Sequence, residues 1–129
     1  MRYLGIDYGA KRIGVAVSDE GGTIAFPRET LVNNEQLLHH LSGLIEREKI
    51  SSIVLGDTRS HGGKENPITA EAEAFSEKLQ RATGRPVARA FEAWSSIEAS
   101  RYAPSDRQHD DAAAAAIILQ RFLDMQASK

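Results

Sequence analysis

Carboxylates occur at three places in the chain where predicted strands end or a predicted helix begins, and together they could bind divalent metal ions. Asp7 lies inside an apolar stretch, and Glu92 follows the last stretch that is typical of a strand. Asp110 and Asp111 precede an alanine-rich stretch. A buried carboxylate is costly unless a cation or hydrogen-bond donor meets it, and magnesium prefers oxygen ligands. If folding brings these groups together, they could hold two ions roughly 3.5–4 Å apart and hydrolyse a phosphodiester.

Each carboxylate also has a purely structural explanation. Glu92 could be an exposed residue at a junction between a strand and a turn. Asp110 and Asp111 could cap the start of a helix and interact favourably with its dipole. Asp7 is the hardest to explain in this way, because its strand has no cationic partner nearby in the sequence. The spacing alone therefore indicates a metal site without establishing one.

Basic residues follow two of the predicted strands and could contact a phosphate backbone. Lys11 and Arg12 lie in the turn after Asp7, while Arg59 and Lys64 lie in the wholly polar segment 57–67. That segment is longer than a tight connection needs, which favours a substrate-contacting loop. The alternative is that both groups are ordinary solvated surface residues. All four are candidate nucleic-acid contacts.

The composition predicts a soluble α/β protein with one domain over residues 1–129. Sixteen basic and eighteen acidic residues give a net charge of -2, which is unlike a strongly basic nucleic-acid binder. Cysteine is absent, so disulfides and thiolate metal sites are excluded. The N-terminus lacks the apolar core of a signal peptide, and no stretch reaches membrane-spanning length. We therefore expect a cytoplasmic protein.

Apolar stretches bounded by turn residues predict five strands. They cover 2–8, 12–18, a third strand of Thr23–Phe26 and Thr30–Val32 interrupted or placed at an edge by Pro27, Ser52–Leu55, and Pro86–Phe91. The first three are joined by short turns and predict an antiparallel meander. The later strands alternate with helices and predict parallel pairing. The expected fold is a mixed sheet with helices on both faces and a ligand site at strand ends.

Helical periodicity predicts four helices. They cover Asn33–Lys49, Ile68–Thr83, a short segment beginning at Ser95, and Asp111–Met125. Asn33 and Gln36 are expected to cap the first helix. Its core face is expected to contain the apolar residues Leu37, Leu38, Leu41, Leu44 and Ile45.

Three segments resemble motifs of the YqgF family, also called RuvX-like, of the RNase H-like superfamily. They are the opening LGIDYGAKRIGVAVSD, the middle IVLGDTRSHGGKENP and the closing DAAAAAIILQRFLD. The resemblance covers nearly the whole chain. It implies that Asp7 is the first catalytic carboxylate and Asp111 the last. Asp111 fits better than Asp110 because it keeps the register with the closing residues Ile118–Gln120.

Two segments depart from the family pattern. Phe91 and Ala93 stand where the family usually has an aspartate and an arginine, while Glu92 between them is retained. Loss of the arginine removes a guanidinium fork that suits phosphate geometry. In the middle motif, Asp57 and Thr58 replace the usual apolar–proline pair.

The resemblance implies a nuclease that uses Mg²⁺ or Mn²⁺, with Asp7, Glu92 and Asp111 as catalytic residues and metal ligands. Two substrates are implied: the 5′ end of precursor 16S ribosomal RNA, in a ribosomal context, or the four-way (Holliday) DNA junction. The protein would act as a monomer or a homodimer. An inactive nucleic-acid-binding homologue is a further alternative. The opening motif also looks like a phosphate loop of actin-like ATPases and sugar kinases, but those need two such lobes.

Overall fold

The computed structural model describes residues 1–57, 67–91 and 111–127 of the chain, and its described strands form one mixed sheet. The strands are β1 (Arg2–Tyr8), β2 (Arg12–Ser18), β3 (Ala25–Val32), β4 (Ile50–Asp57) and β5 (Val87–Phe91), in the order β3-β2-β1-β4-β5. β2 pairs antiparallel with β1 and β3, whereas β4 pairs parallel with β1 and β5. The predicted meander with added parallel strands is confirmed.

The central strand β1 is covered on both faces. Every residue of this strand is buried except Arg2 and Asp7, which are half-buried. A strand that is buried on both sides reads as a nearly continuous apolar run, and that is how β1 appears in the sequence. Asp7 is therefore an exception within an apolar strand, and it lies at the carboxyl end of that strand.

The third strand is continuous. The predicted interruption at Pro27 is therefore wrong, whereas the alternative prediction of an edge strand is confirmed. β3 runs unbroken through Pro27, and among the described strands it pairs only with β2. The register shifts here, because Ala16 pairs with Pro27 while the preceding Val15 pairs with Glu29. A proline is tolerated at a sheet edge, where its missing N–H is not needed, and a bulge accommodates the extra residue.

Helices cover both faces of the sheet, as predicted. They are α1 (Leu37–Arg47), α2 (Pro67–Thr83) and α3 (Asp111–Ala127). One core joins alternate residues of β1 to α1 and α2, and the other joins the opposite sheet face to α3. The predicted apolar face of α1 is confirmed, with Leu38 partly buried and its other members fully buried. None of the described helices is long and apolar enough to cross a membrane.

The first helix begins at Leu37 and ends at Arg47, so the predicted bounds Asn33–Lys49 and the capping pair are wrong. Asn33 is held elsewhere: its backbone N–H donates to the Lys11 carbonyl and its side-chain amide donates to the Gly9 carbonyl, each at 2.9 Å. The predicted polar segment 57–67 is one residue too long at each end, because β4 includes residue 57 and α2 begins at residue 67. The short helix predicted at Ser95 lies outside the described residues.

Hydrogen bonds from α3 fix its position along the sheet. The Gln120 side chain accepts from the Ala25 N–H and donates to the Thr23 carbonyl, both at 2.9 Å. Nearer the end of the helix, the Tyr3 hydroxyl donates to the side chain of Gln126 at 3.0 Å. Gln120 thus supplies backbone partners at the start of the edge strand β3.

We expect Gln120→Ala to lower the free energy of unfolding by about 1–2 kcal/mol, because Ala25 and Thr23 lose partners for their backbone groups. Urea denaturation followed by circular dichroism measures the loss. Gln126→Ala makes the same truncation on the same helix, but it affects only one bond to a hydroxyl. An equal loss in both variants would contradict a special role for Gln120.

Candidate active site

Asp7 lies on the sheet face that is covered by α3. Alternate residues of a strand share a face, so Asp7 lies on the same face as Gly5. A Cβ atom on Gly5 would be only 2.8 Å from the Leu119 Cβ atom and 3.1 Å from the Ala115 carbonyl oxygen. The α3 backbone therefore passes directly over this face of β1. The Asp7 side chain is half-buried there.

The first residue of α3 lies against the strand neighbour of Asp7. Asp7 pairs with Gly14 in the antiparallel ladder, and a Cβ atom on Gly14 would be 1.8 Å from the Asp111 carbonyl oxygen. Directly paired residues have Cβ atoms about 5 Å apart, so the Asp7 Cβ and the Asp111 carbonyl oxygen are within about 7 Å. The fold thereby brings Asp7 close to Asp111, the first residue of α3.

A cation from the adjoining strand completes this cluster. The Arg12 Nε atom lies 3.2 Å from the Asp111 Oδ2 atom, with side-chain exposures of 50% and 22%. Arg12 shares its strand face with Gly14, two residues along β2. Lys11 is exposed in the turn between β1 and β2, and Asn33 holds that turn through two carbonyl groups.

Tyr8 connects the end of β1 to the opposite face of the sheet. Its hydroxyl donates to the Glu71 Oε2 atom at 3.2 Å, and its ring packs on Phe75 with centroids 5.5 Å apart. Burial raises the pKa of Tyr8; a hydrogen bond with Asn33 opposes this shift, and the Glu71 carboxylate adds to it. The phenol therefore stays protonated and keeps its bond to α2, so the strand end that carries Asp7 is held firmly.

The third predicted carboxylate, Glu92, lies outside the described residues, as do the predicted basic residues Arg59 and Lys64. β5 ends at Phe91, whose backbone pairs with the end of the parallel neighbour β4 at the same edge of the sheet. Within 1–57, 67–91 and 111–127, no group of three or more acidic or histidine residues is arranged to hold a metal. The described donors that fit a hard cation are the two aspartates.

Three features of the site were not identified from the sequence: the close approach at Gly14, the turn contacts of Asn33, and the ion pair of Arg12 with Asp111. A glycine inside a strand often marks close approach of another backbone, so Gly14 had a readable signal. The sequence gives no signal for the turn contacts of Asn33, because the residues around it match a helix cap equally well. The ion pair joins distant segments, and only the folded chain reveals it.

We expect Gly14→Ala to displace the start of α3, because its new methyl group would occupy the position of the Asp111 carbonyl. The expected loss is at the upper end of the roughly 1–3 kcal/mol typical of overpacking, measured by denaturant unfolding. Gly21→Ala is the control, since its new methyl group would meet nothing closer than 3.6 Å. Equal stability of the two variants would show that α3 does not lie against Gly14.

Comparison with known sequences shows the family. A family model named RuvX, described as Holliday junction resolvase, matches residues 1–125. A protein of Nitratidesulfovibrio vulgaris named "Putative pre-16S rRNA nuclease" is 41% identical, with 100% of this chain and 97% of that protein covered. A protein of the same name from Oleidesulfovibrio alaskensis is 37% identical, with 97% and 93% covered.

Solved structures share the fold. RuvC of Thermus thermophilus superposes with a TM-score of 0.64 at 15% identity, covering 99% of this chain and 97% of RuvC. RuvC in complex with a Holliday junction substrate gives 0.66 at 16% identity, covering 98% and 96%. A hexokinase of the same organism gives 0.50 at 22% identity, but only 39% of that chain is covered. The RNase H-like fold and the nuclease class predicted from the sequence are confirmed, and the chain belongs to the RuvX family.

Proposed function

We propose that this protein is a metal-dependent nuclease that matures the 5′ end of precursor 16S ribosomal RNA. The observation that carries the proposal is the convergence of Asp7 and Asp111 on one face at the end of β1. Oxygen ligands from distant segments, gathered at a strand end, are what metal-assisted phosphodiester hydrolysis needs. The names of the relatives that are 41% and 37% identical support the RNA substrate.

In this proposal Asp7, Asp111 and Glu92 hold Mg²⁺ or Mn²⁺. Glu92 is bonded to Phe91, the last residue of β5, and β5 ends at the same edge of the sheet as its parallel neighbour β4. A divalent ion held by these residues would supply the positive charge that activates water and stabilises the departing oxygen. The protein contributes ligand positions that are fixed by packing: Asp7 within the central strand and Asp111 at the start of a helix seated on Gly14.

Lys11 and Arg12 bind the substrate backbone. Both belong to or adjoin the turn that Asn33 holds, so their positive charge is presented at the same edge as the two aspartates. Because Ala93 replaces the arginine of the family pattern, these two residues carry more of the phosphate binding here. We further propose that Arg59 and Lys64 contact the substrate beyond the scissile group.

The four-way DNA junction is a second candidate substrate. The description of the family and the fold shared with RuvC, solved in complex with a Holliday junction, favour it. The same carboxylates would serve, but symmetric cutting would need two active sites and hence a homodimer. We rank RNA first because the RNA-related names belong to relatives of much higher identity. Ribosomal RNA as substrate implies a cytoplasmic enzyme that works on a ribosomal particle.

We expect Asp7→Asn and Asp111→Asn each to reduce cleavage by about 100-fold or more, since loss of even an outer-shell partner of a metal costs roughly 10–100-fold. The assay uses a labelled precursor 16S RNA 5′ segment and a synthetic four-way junction, each with Mn²⁺ and with excess chelator. Circular dichroism establishes that the variants remain folded.

Asp124→Asn is the matched control, because it makes the same change on the exposed side of α3, about 20 Å along the helix from its start. It should cleave like the parent protein. Metal-dependent cutting of RNA that is lost in both site variants would support the proposal. Cutting of the junction alone would shift the function to resolution, and undiminished cutting by Asp7→Asn would refute the metal site. Binding of RNA without cutting by the parent would indicate an inactive homologue.

A further inference from the structure

The ion pair of Arg12 with Asp111 places a protein cation on a proposed metal ligand. The Arg12 Nε atom is 3.2 Å from the Asp111 Oδ2 atom, which is hydrogen-bonding distance. Half of the Arg12 side chain is exposed, whereas Asp111 is largely covered. The carboxylate is therefore fixed, and the guanidinium is the partner that can leave toward solvent.

The start of α3 has other contacts that hold it in place. The Asp111 carbonyl lies where a side chain on Gly14 would be, and Leu119 packs on Gly5. Gln120 further ties the helix to the backbone of Thr23 and Ala25. An ion pair whose arginine is half exposed adds little to such packing. Because the pair is not needed to position the helix, its value must be sought in the charge that it places beside Asp111.

We propose that Arg12 is an internal counter-ion that neutralises Asp111 when no metal is bound and that a divalent metal displaces when it binds. The inference rests on the proposed function. A metal ion and a guanidinium both seek the same carboxylate oxygens, and their like charges repel at short range. Binding of metal to Asp111 therefore requires Arg12 to turn away from it.

Displacement gives Arg12 a second partner. Its side chain begins next to Lys11, at the turn where the substrate backbone is expected to approach. A guanidinium that has left a carboxylate is suited to bind phosphate oxygens, which match its geometry. Metal binding would thus release the cation that binds the scissile strand, so metal and nucleic acid would each favour binding of the other.

The test is direct titration of Mn²⁺ into chelator-treated protein by calorimetry, without nucleic acid. We expect Arg12→Gln to bind Mn²⁺ about 5-fold more tightly than the parent, the effect of removing one exposed competing ion pair. Arg12→Lys keeps the charge and should stay near the parent value. Lys11→Gln removes the same charge one residue away, at a side chain that forms no ion pair with the described carboxylates, and should change the affinity by less than about 2-fold.

Thermal unfolding with chelator and with Mn²⁺ provides a second measurement that does not depend on activity. The stabilisation produced by Mn²⁺ should be larger in Arg12→Gln than in the parent at equal metal concentration. If the parent binds Mn²⁺ and folded Arg12→Gln binds it equally or more weakly, the counter-ion role is wrong while the metal site stands. An equal gain in Lys11→Gln would show a general charge effect and also overturn it. If no variant binds Mn²⁺, the proposed metal site fails as well.

Discussion

The close packing of α3 against the sheet is the constraint on which the site depends. Gly5 and Gly14 present no Cβ atoms, so the helix backbone lies where ordinary side chains would keep it away. Leu119 and Ala115 fill the space over Gly5, and the start of the helix reaches Gly14. Because van der Waals contacts at such short range tolerate little movement, packing rather than a flexible connection sets the position of Asp111. Asp7 is placed by the same ladder pair.

The opposite face of the sheet makes the other half of the site rigid. α1 and α2 bury alternate residues of β1, and α3 covers the opposite face. The strand that carries Asp7 therefore lies between two hydrophobic cores. At the end of the strand, the Tyr8 hydroxyl donates a hydrogen bond to Glu71 of α2. Asn33 donates hydrogen bonds to backbone carbonyl groups of the turn that follows. Ligands on a packed strand and helix can keep the geometry that metal chemistry requires, which isolated loops seldom can.

The sequence predicted what depends on local periodicity and missed what depends on distant contacts. The apolar run of β1 and the apolar face of α1 could be predicted because burial sets the pattern of apolar residues in each element. The helix start was misplaced because Asn33 serves the turn before β2 instead of capping α1. Asp7 was found from its position inside an apolar strand, and the family motif selected Asp111 over Asp110. The partner of Asp111 was not found, since no local pattern encodes a contact between distant segments. The role of Glu92 stays a prediction.

In the proposed mechanism, the net charge of the protein makes both the metal ion and Arg12 important for substrate binding. With a net charge of -2, the chain has no general attraction for a polyanion, so substrate binding must come from local groups. In the proposed site these groups are Lys11 and Arg12. For a single strand, the logarithm of the binding constant falls with the logarithm of salt concentration by roughly 0.7 for each phosphate contacted. Two contacts give a shallow salt dependence and weak affinity by themselves. A divalent ion held by the aspartates would add more positive charge at the site than either residue does. Selectivity for the substrate would then come from simultaneous binding to the metal ion and the two basic residues, not from the net charge of the protein.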